Sequence, residues 1–225
     1  MALLVALLAS AACDDVRAGH PASDQEREAA RAMIAQLVVL TQHPDASAGI
    51  LDATDAAPLL ALIAPQRLAL PPRPDFSPDI DALSDCFIAT ATSATLSQCE
   101  FAEHVVDGTW VREGRRTHTE MVDVFVVDPQ THGSVAIEAN LAVGNDLSGA
   151  LDANIMWSSS SGEFVLDVSL RADGLLVESP DCASGGTVTI SATQASVLPD
   201  GEGTSQTTTT SLWFGPGCQD VHIAR

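Results

Sequence analysis

Residues 134–143, SVAIEANLAV, alternate apolar and polar side chains with a period of two. The apolar set is Val135, Ile137, Ala139, Leu141 and Val143, and the polar set is Ser134, Glu138 and Asn140. In an extended chain the two sets fall on opposite faces. Since a helix would need a period near 3.6, the stretch predicts a β-strand with one buried and one exposed face.

The same period of two recurs along most of the chain that follows. Four further segments show it: 122–126, 151–157, 164–170 and 188–192. In the first of them we expect Val122, Val124 and Val126 to face the core. Beside the last, the hydroxyl side chains of Thr187, Thr189, Ser191 and Thr193 supply a polar outer face that suits β geometry. Turns with glycine or Asn/Asp, at 144–149, 162 and 174, separate the segments.

These strands predict a mainly β (α+β) protein, built on an antiparallel meander of about eight to ten strands. The apolar face of such a sheet must be covered. A curved sheet under N-terminal helices, a closed barrel and a sandwich would each cover it. An outer-membrane barrel is disfavoured, because the chain has no Tyr, only three Trp and no recognisable aromatic girdles.

The region before the strands is helical and then rich in proline. Ser23-Asp24-Gln25-Glu26 matches a capping box, and apolar residues at helical spacing follow until His43-Pro44. A second, shorter helix is predicted over residues 56–64. We therefore assign a helical segment to 23–64, a proline-rich connector to 65–85 and an antiparallel β domain to 86–225.

Composition sets the class of protein and excludes one class of partner. Hydrophobic residues make up 46% and charged residues 18% of the 225 residues, which is typical of a globular chain. The formal net charge is −20, and every one of the ten basic Lys or Arg residues is Arg. Such a charge opposes binding to phosphate backbones, so nucleic acid is excluded as a partner.

The N-terminus has the pattern of an export signal. Residues 1–12 have the length and character of a signal-peptide hydrophobic region. Ser10-Ala11-Ala12-Cys13 resembles the lipobox of bacterial lipoproteins, with Ser10 standing where that family usually has Leu. The resemblance implies that Cys13 is diacylated and becomes the N-terminal residue, which makes 13–22 a tether. Ordinary signal cleavage after Ala9-Ser10-Ala11, leaving Cys13 as a free thiol, is the alternative.

The number of cysteines favours the lipid. The chain has five cysteines, an odd number that needs an explanation in an exported protein. Removing Cys13 leaves four, enough for two disulfides in an oxidising compartment. We therefore expect a protein of the bacterial cell envelope that faces the periplasm or the exterior and meets the membrane through a lipid on Cys13.

The turn positions favour one disulfide pairing. Asp200-Gly201 is a turn signal, and folding strands 187–197 and 205–214 back on it places Cys182 opposite Cys218. Elimination leaves Cys86 with Cys99.

Candidate chemistry is sparse. The residues weighed for a metal or calcium site are His118, Glu120, Glu100, Glu103, His104, Asp107, Asp146, Asp152 and Asn154. A metal site needs three or four such groups to converge, and solvated polar positions of an acidic protein explain these residues better. Trp110 and Trp213 are candidates for contact residues or for the core. We predict no catalytic residue, no metal and no cofactor, and hence no enzyme.

Three functions remain. The first is a structural or interaction role in the cell envelope, with an envelope protein as partner. The second is a periplasmic carrier of an apolar or lipid ligand, because a helix followed by a long meander resembles the lipoprotein-carrier proteins in architecture. The third is a hydrolase or metalloprotein with a dispersed site.

Overall fold

A computed structural model describes residues 19–42, 85–101 and 103–224. The elements are β1 (His20–Pro21), α1 (Asp24–Val39), β2 (Phe87–Ala89), β3 (Ser93–Phe101), β4 (His104–Glu113), β5 (Arg116–Asp128), β6 (Thr131–Val143), β7 (Leu147–Ser159), β8 (Gly162–Leu175), β9 (Val177–Ser179), β10 (Cys182–Ala183), β11 (Thr187–Val197), β12 (Gly203–Phe214) and β13 (Val221–Ala224). Cys13, the predicted second helix and the connector up to residue 84 lie outside the described residues.

The protein is mainly β, as predicted. Eleven strands form one antiparallel sheet in the order β1-β13-β12-β11-β8-β7-β6-β5-β4-β3-β2, and β9 and β10 form a separate pair. The sheet is larger than the eight to ten strands expected, because short strands at both edges extend the meander. Within the described residues the edge strands β1 and β2 do not pair with each other, so the sheet is open and not a closed barrel.

The sheet has an inner face, which α1 covers, and an outer face. On β6, Val135, Ile137, Ala139 and Leu141 are buried on the inner face as the alternation predicts. Matching sets on β7, β8 and β11 are buried in the same core as the apolar side of α1. The outward sets of these strands are partly or fully exposed and mostly polar, including the hydroxyl row of β11.

Helix α1 begins at the predicted capping box. The Ser23 side chain accepts from the backbone N–H of Glu26, and the Glu26 carboxylate accepts from the backbone N–H of Ser23 at 2.8 Å. Met33, Ile34 and Leu37 are almost completely buried against the sheet. Burial of apolar surface contributes about 25 cal/mol per Å². Since a helix of this length is marginal on its own in water, the packing of this apolar stripe on the sheet is what stabilises α1.

The two ends of α1 are tied to opposite halves of the sheet. Before the helix, the backbone N–H of Ala22 donates to the carbonyl oxygen of Val221 on β13 at 2.8 Å. After it, the indole Nε1 of Trp110 on β4 donates to the carbonyl oxygen of Leu40 at 2.9 Å. The helix therefore crosses the inner face, and Trp110 is a core residue. His20–Pro21 and Ala22, the end of the predicted tether, belong to the fold through pairing with β13.

The disulfide pairing is the one predicted. Cys182 and Cys218 lie with Cα atoms 5.0 Å apart at the base of the β11–β12 hairpin. Cys86 and Cys99 lie 5.3 Å apart where β2 meets β3. The turn of the β11–β12 hairpin contains Gly201, whose φ of +86° requires the left-handed region that glycine tolerates best.

Strand β5 contradicts the sequence prediction for its faces. Val122, Val124 and Val126 point outward and are 42%, 47% and 49% exposed, whereas Met121 and Phe125 are buried. Both phases of this strand contain apolar residues, so alternation alone does not choose between them. Packing chooses: the Phe125 ring occupies the space above Gly133, the residue paired with it on β6, and lies 6.3 Å from the ring of Trp157.

Candidate functional site

The residues weighed for a metal site lie on different faces of the sheet. His118 and Glu120 share the outer face of β5, as predicted, but His104 is buried on the inner face of β4. Asp107 instead accepts hydrogen bonds from the backbone and side chain of Gln98. The fold separates these groups because the β4–β5 register places His104 opposite Phe125, and not beside His118.

The calcium candidates do not converge either. Asp152 on β7 pairs with Arg171 at 3.3 Å, and Asn154 donates to Asp167 at 2.6 Å. Asp146 lies in the turn before β7 and accepts from Ser148. Among the described residues, Glu178, Cys182 and Cys218 form the one group close enough to share an ion, and its two sulfur atoms are joined in a disulfide. That group has no thiolate to offer.

Sequence reasoning missed a buried histidine–carboxylate pair. Nδ1 of His104 lies 3.0 and 3.1 Å from the two carboxylate oxygens of Asp123, and both side chains are at most 1% exposed. A carboxylate that orients an imidazole also occurs in catalytic triads. Here the pair lies inside the core beside the Phe125 ring, 5.6 Å from the imidazole. No local signal in the sequence marks this pair, because the polar Asp123 between two valines favours the opposite phase of β5, with Asp123 exposed.

The inner face of β5 is unusually polar for a core. Thr117, Thr119 and Asp123 are buried there, while Val122, Val124 and Val126 face outward. The hydroxyl groups of Thr117 and Thr119 have no hydrogen-bond partner in the described part of the chain. An unsatisfied buried hydroxyl costs about 1–3 kcal/mol, so hydroxyl groups are rarely buried without a partner. In this respect β5 departs from the usual distribution of polar and apolar residues. Such departures concentrate at functional sites.

The outer face carries an acidic row beside the valines of β5. Glu120, Glu138 and Asp152 are direct neighbours on three adjacent strands. Like charges placed opposite each other across strands are destabilising. Nearby groups offset part of this repulsion: His118 contacts Glu120 at 3.0 Å, and Arg171 contacts Asp152.

The contacts of His118, beside this row, favour its protonated form. Its Nδ1 contacts Oδ1 of Asn140 at 2.7 Å, and Asn140 in turn donates to Glu138 at 3.1 Å. The hydrogen bond to Asn140 raises the pKa of His118 above its ordinary value of 6.5, Glu120 and Glu138 raise it further, and partial burial opposes them. Since both ring nitrogens face oxygen acceptors, the doubly protonated imidazolium satisfies both contacts.

A groove of about 580 Å³ runs along the acidic row. The groove is lined by the carboxylates of Glu120, Glu138 and Asp152 and by the apolar side chains of Val122 and Ala136. Asp167 adds a fourth carboxylate, and no Arg or Lys is among the described residues that line the groove. A groove of this composition favours a ligand that is cationic and partly apolar.

A second row, of mostly apolar residues, runs parallel to the acidic row. In strand order from β4 to β11 it consists of Val105, Val124, Ser134, Met156, Val165 and Ala195, each paired directly with the next. Val124 is 47% exposed and Met156 is 40% exposed. We call the two rows and the groove between them the outer-face site. Exposed apolar surface organised in this way marks an interaction surface more often than isolated exposed residues do.

Comparisons of the chain with family models, curated proteins and solved structures found no match. No helix among the described residues is long and apolar enough to cross a membrane. The outer-face site therefore rests on geometry and chemistry alone.

Proposed function

We propose that this protein is an exported, lipid-anchored domain whose outer-face site binds a protein partner in the cell envelope. The observation that carries the proposal is the contrast between the two faces of the sheet. On the inner face, α1 packs on the sheet with Met33, Ile34 and Leu37 at most 1% exposed. The outer face presents an exposed apolar row and an acidic groove.

The packing of the inner face argues against the carrier alternative. A carrier of an apolar ligand needs space between helix and sheet, and such sites are usually pre-formed cavities of about 300–1,000 Å³. Here α1 and the sheet bury their side chains against one another in one continuous cluster. A ligand between α1 and this cluster would have to displace the helix.

The enzyme alternative has little support in the described residues. The buried His104–Asp123 pair is closed to substrate, and the weighed metal ligands do not converge. Among the described residues that line the groove, no nucleophile is hydrogen-bonded to a general base, so the groove supports binding rather than catalysis.

The membrane anchor is part of the same proposal. The lipobox-like segment puts a lipid on Cys13, and two acyl signals on one residue are enough for stable anchoring. Two disulfide-distance cysteine pairs support an oxidising, exported environment. Replacing Cys13 with Ser should move the protein from the membrane fraction to the soluble fraction without loss of the fold. A wild-type protein that takes up no fatty-acid label and keeps residues 1–12 would contradict the anchor.

Site-specific crosslinking in the native cells tests the binding role. An aliphatic diazirine residue at Val124, within the outer-face site, should form a discrete adduct with one identifiable protein. The matched control is the same residue at Leu176, which is equally exposed at 47% but lies between β8 and β9, outside the site. The adduct at Val124 should disappear when Met156→Asp is added. Equal adducts at Val124 and Leu176 would contradict a specific site.

A further inference from the structure

The dimensions of the outer-face site select one shape of ligand. The acidic and apolar rows are four residues apart along β5, from Glu120 to Val124, which is about 13 Å at about 3.3 Å per residue. An α-helix with its side chains is about 10–12 Å across. The apolar row crosses six strands, or about 24 Å at about 4.8 Å per strand, which is the length of about 16 helical residues.

The spacing of the carboxylates selects a helix over an extended peptide. Glu120, Glu138 and Asp152 repeat once per strand, at about 4.8 Å. A helix laid across the strands presents one residue per turn on a given side, at intervals of about 5.4 Å. An extended peptide presents residues on one side about every 6.6 Å, so it falls out of step with the carboxylates sooner.

Charge selects the polar side of that helix. Three directly neighbouring carboxylates repel one another, His118 at Glu120 and Arg171 at Asp152 offset only part of this, and Asp167 faces the same groove from β8. A cation from a ligand relieves this repulsion while its apolar neighbour covers Val124 and Met156. The groove thus complements a helix with positive charges on one side and an apolar stripe beside them.

We propose that the partner presents a cationic amphipathic helix of about four turns, which lies across β4 to β11 in the outer-face site. The inference rests on the proposed binding function and adds the chemistry of the partner. Lys or Arg residues at intervals of three or four meet Glu120, Glu138 and Asp152. The apolar side of the helix packs on Val124, Met156 and Val165.

A synthetic peptide of 16 residues tests the inference. The probe carries one Lys per turn on one side and a Leu stripe beside it, and its binding to the purified protein is measured by calorimetry. Two control peptides test charge and conformation separately. One replaces each Lys with Glu, and the other keeps the Lys and Leu residues but contains two prolines that prevent a helix. We expect binding of the helical cationic probe alone.

A charge-matched pair of variants separates the site from the general acidity of the protein. The site variant combines Glu120→Gln, Glu138→Gln and Asp152→Asn. The control variant combines Glu113→Gln, Glu178→Gln and Glu202→Gln at three exposed carboxylates elsewhere. Both variants therefore remove the same number of negative charges. The site variant should weaken binding at least tenfold and the control variant less than twofold. Equal losses, or equal binding of the proline-containing peptide, would overturn the inference.

The two proposals fail in different ways. If the Val124 crosslink forms and the cationic helix does not bind, the binding function stands and the inferred partner chemistry is wrong. If neither the crosslink nor the peptide is specific for the outer-face site, the binding function itself is wrong.

Discussion

The indole Nε1 of Trp110 donates a 2.9 Å hydrogen bond to the carbonyl oxygen of Leu40, just beyond the last residue of α1. The final carbonyl groups of a helix have no partner within the helix, so a donor from the sheet both satisfies one of them and fixes the position of the helix end. Both residues are buried. This contact joins the end of the helix to β4, whose Val105 begins the apolar row of the outer-face site.

Replacing Trp110 with Phe should therefore destabilise the fold. The change leaves a buried carbonyl group without its donor, which costs about 1–3 kcal/mol. Chemical denaturation followed by far-ultraviolet circular dichroism measures the loss. Trp213→Phe is the control, because Trp213 is only half-buried on the outer face of β12 and should cost less. Equal losses for the two variants would contradict the role assigned to the indole N–H.

Replacing Thr119 with Val should stabilise the protein. The Thr119 hydroxyl is buried on the inner face of β5 with no hydrogen-bond partner in the described residues. A methyl group of similar size removes that penalty, so we expect a gain of about 1 kcal/mol in the free energy of unfolding. The control is Thr193→Val, whose hydroxyl is exposed and pairs with Thr207 at 3.0 Å. A loss of stability for Thr119→Val would show that the hydroxyl is satisfied.

The two disulfides should contribute unequally to stability. The bridge between Cys182 and Cys218 closes a sequence separation of 36, and that between Cys86 and Cys99 closes 13. Loop-closure entropy then gives about 4 and about 3 kcal/mol respectively, before any loss to native-state strain. Replacing each pair with Ala should lower the melting temperature more for Cys182 and Cys218. Non-reducing peptide mapping checks the pairing, and a fragment that links Cys182 to Cys86 or Cys99 would contradict it.

The titration of His118 should report on the outer-face site. Its raised pKa means that the folded state holds the proton more tightly than the unfolded state does. The contribution of His118 to stability is therefore fully present below pH 6.5 and is lost as the pH rises through the folded-state pKa. NMR titration of the imidazole should give a value above 6.5 in the wild type, and a lower one in Asn140→Leu. A wild-type value at or below 6.5 would contradict the geometry of the His118–Asn140 contact.

Much of the fold follows from local patterns in the sequence. The period of two in 134–143 and its neighbours is enough to predict the antiparallel meander, since each strand needs one buried face. The capping box at Ser23 predicts where α1 begins. The turn at Asp200-Gly201 predicts the hairpin and, through it, the Cys182–Cys218 pair.

The faces of β5 do not follow from local patterns. Val122, Val124 and Val126 make one phase of the strand look like the core, yet Met121 and Phe125 make the other phase equally possible. The choice depends on Gly133, which leaves room for the Phe125 ring, and on Trp157 beside it. These contacts join three strands, so they are fixed only when the whole sheet assembles.

The outer-face site is invisible to sequence patterns for the same reason. Glu120, Glu138 and Asp152 are separated along the chain and become neighbours only through the register of three strands. That register depends on the lengths of the turns between them. The sequence therefore supplied Glu120 and Asp152 as separate candidates, but it did not supply the row that joins them through Glu138.

Two neighbouring residues, Ile155 and Met156, can show whether the protein binds its partner on the outer face of the sheet. Ile155 is 1% exposed on the inner face of β7, and Met156 is 40% exposed on its outer face within the apolar row. An aliphatic diazirine residue is placed at each position in turn, in full-length protein in its native cells, and adducts are identified by mass spectrometry after illumination. We expect a discrete protein adduct from position 156, and crosslinks only within this chain from position 155. A lipid adduct from position 155, with no protein adduct from position 156, would contradict it and identify the inner face as the binding site.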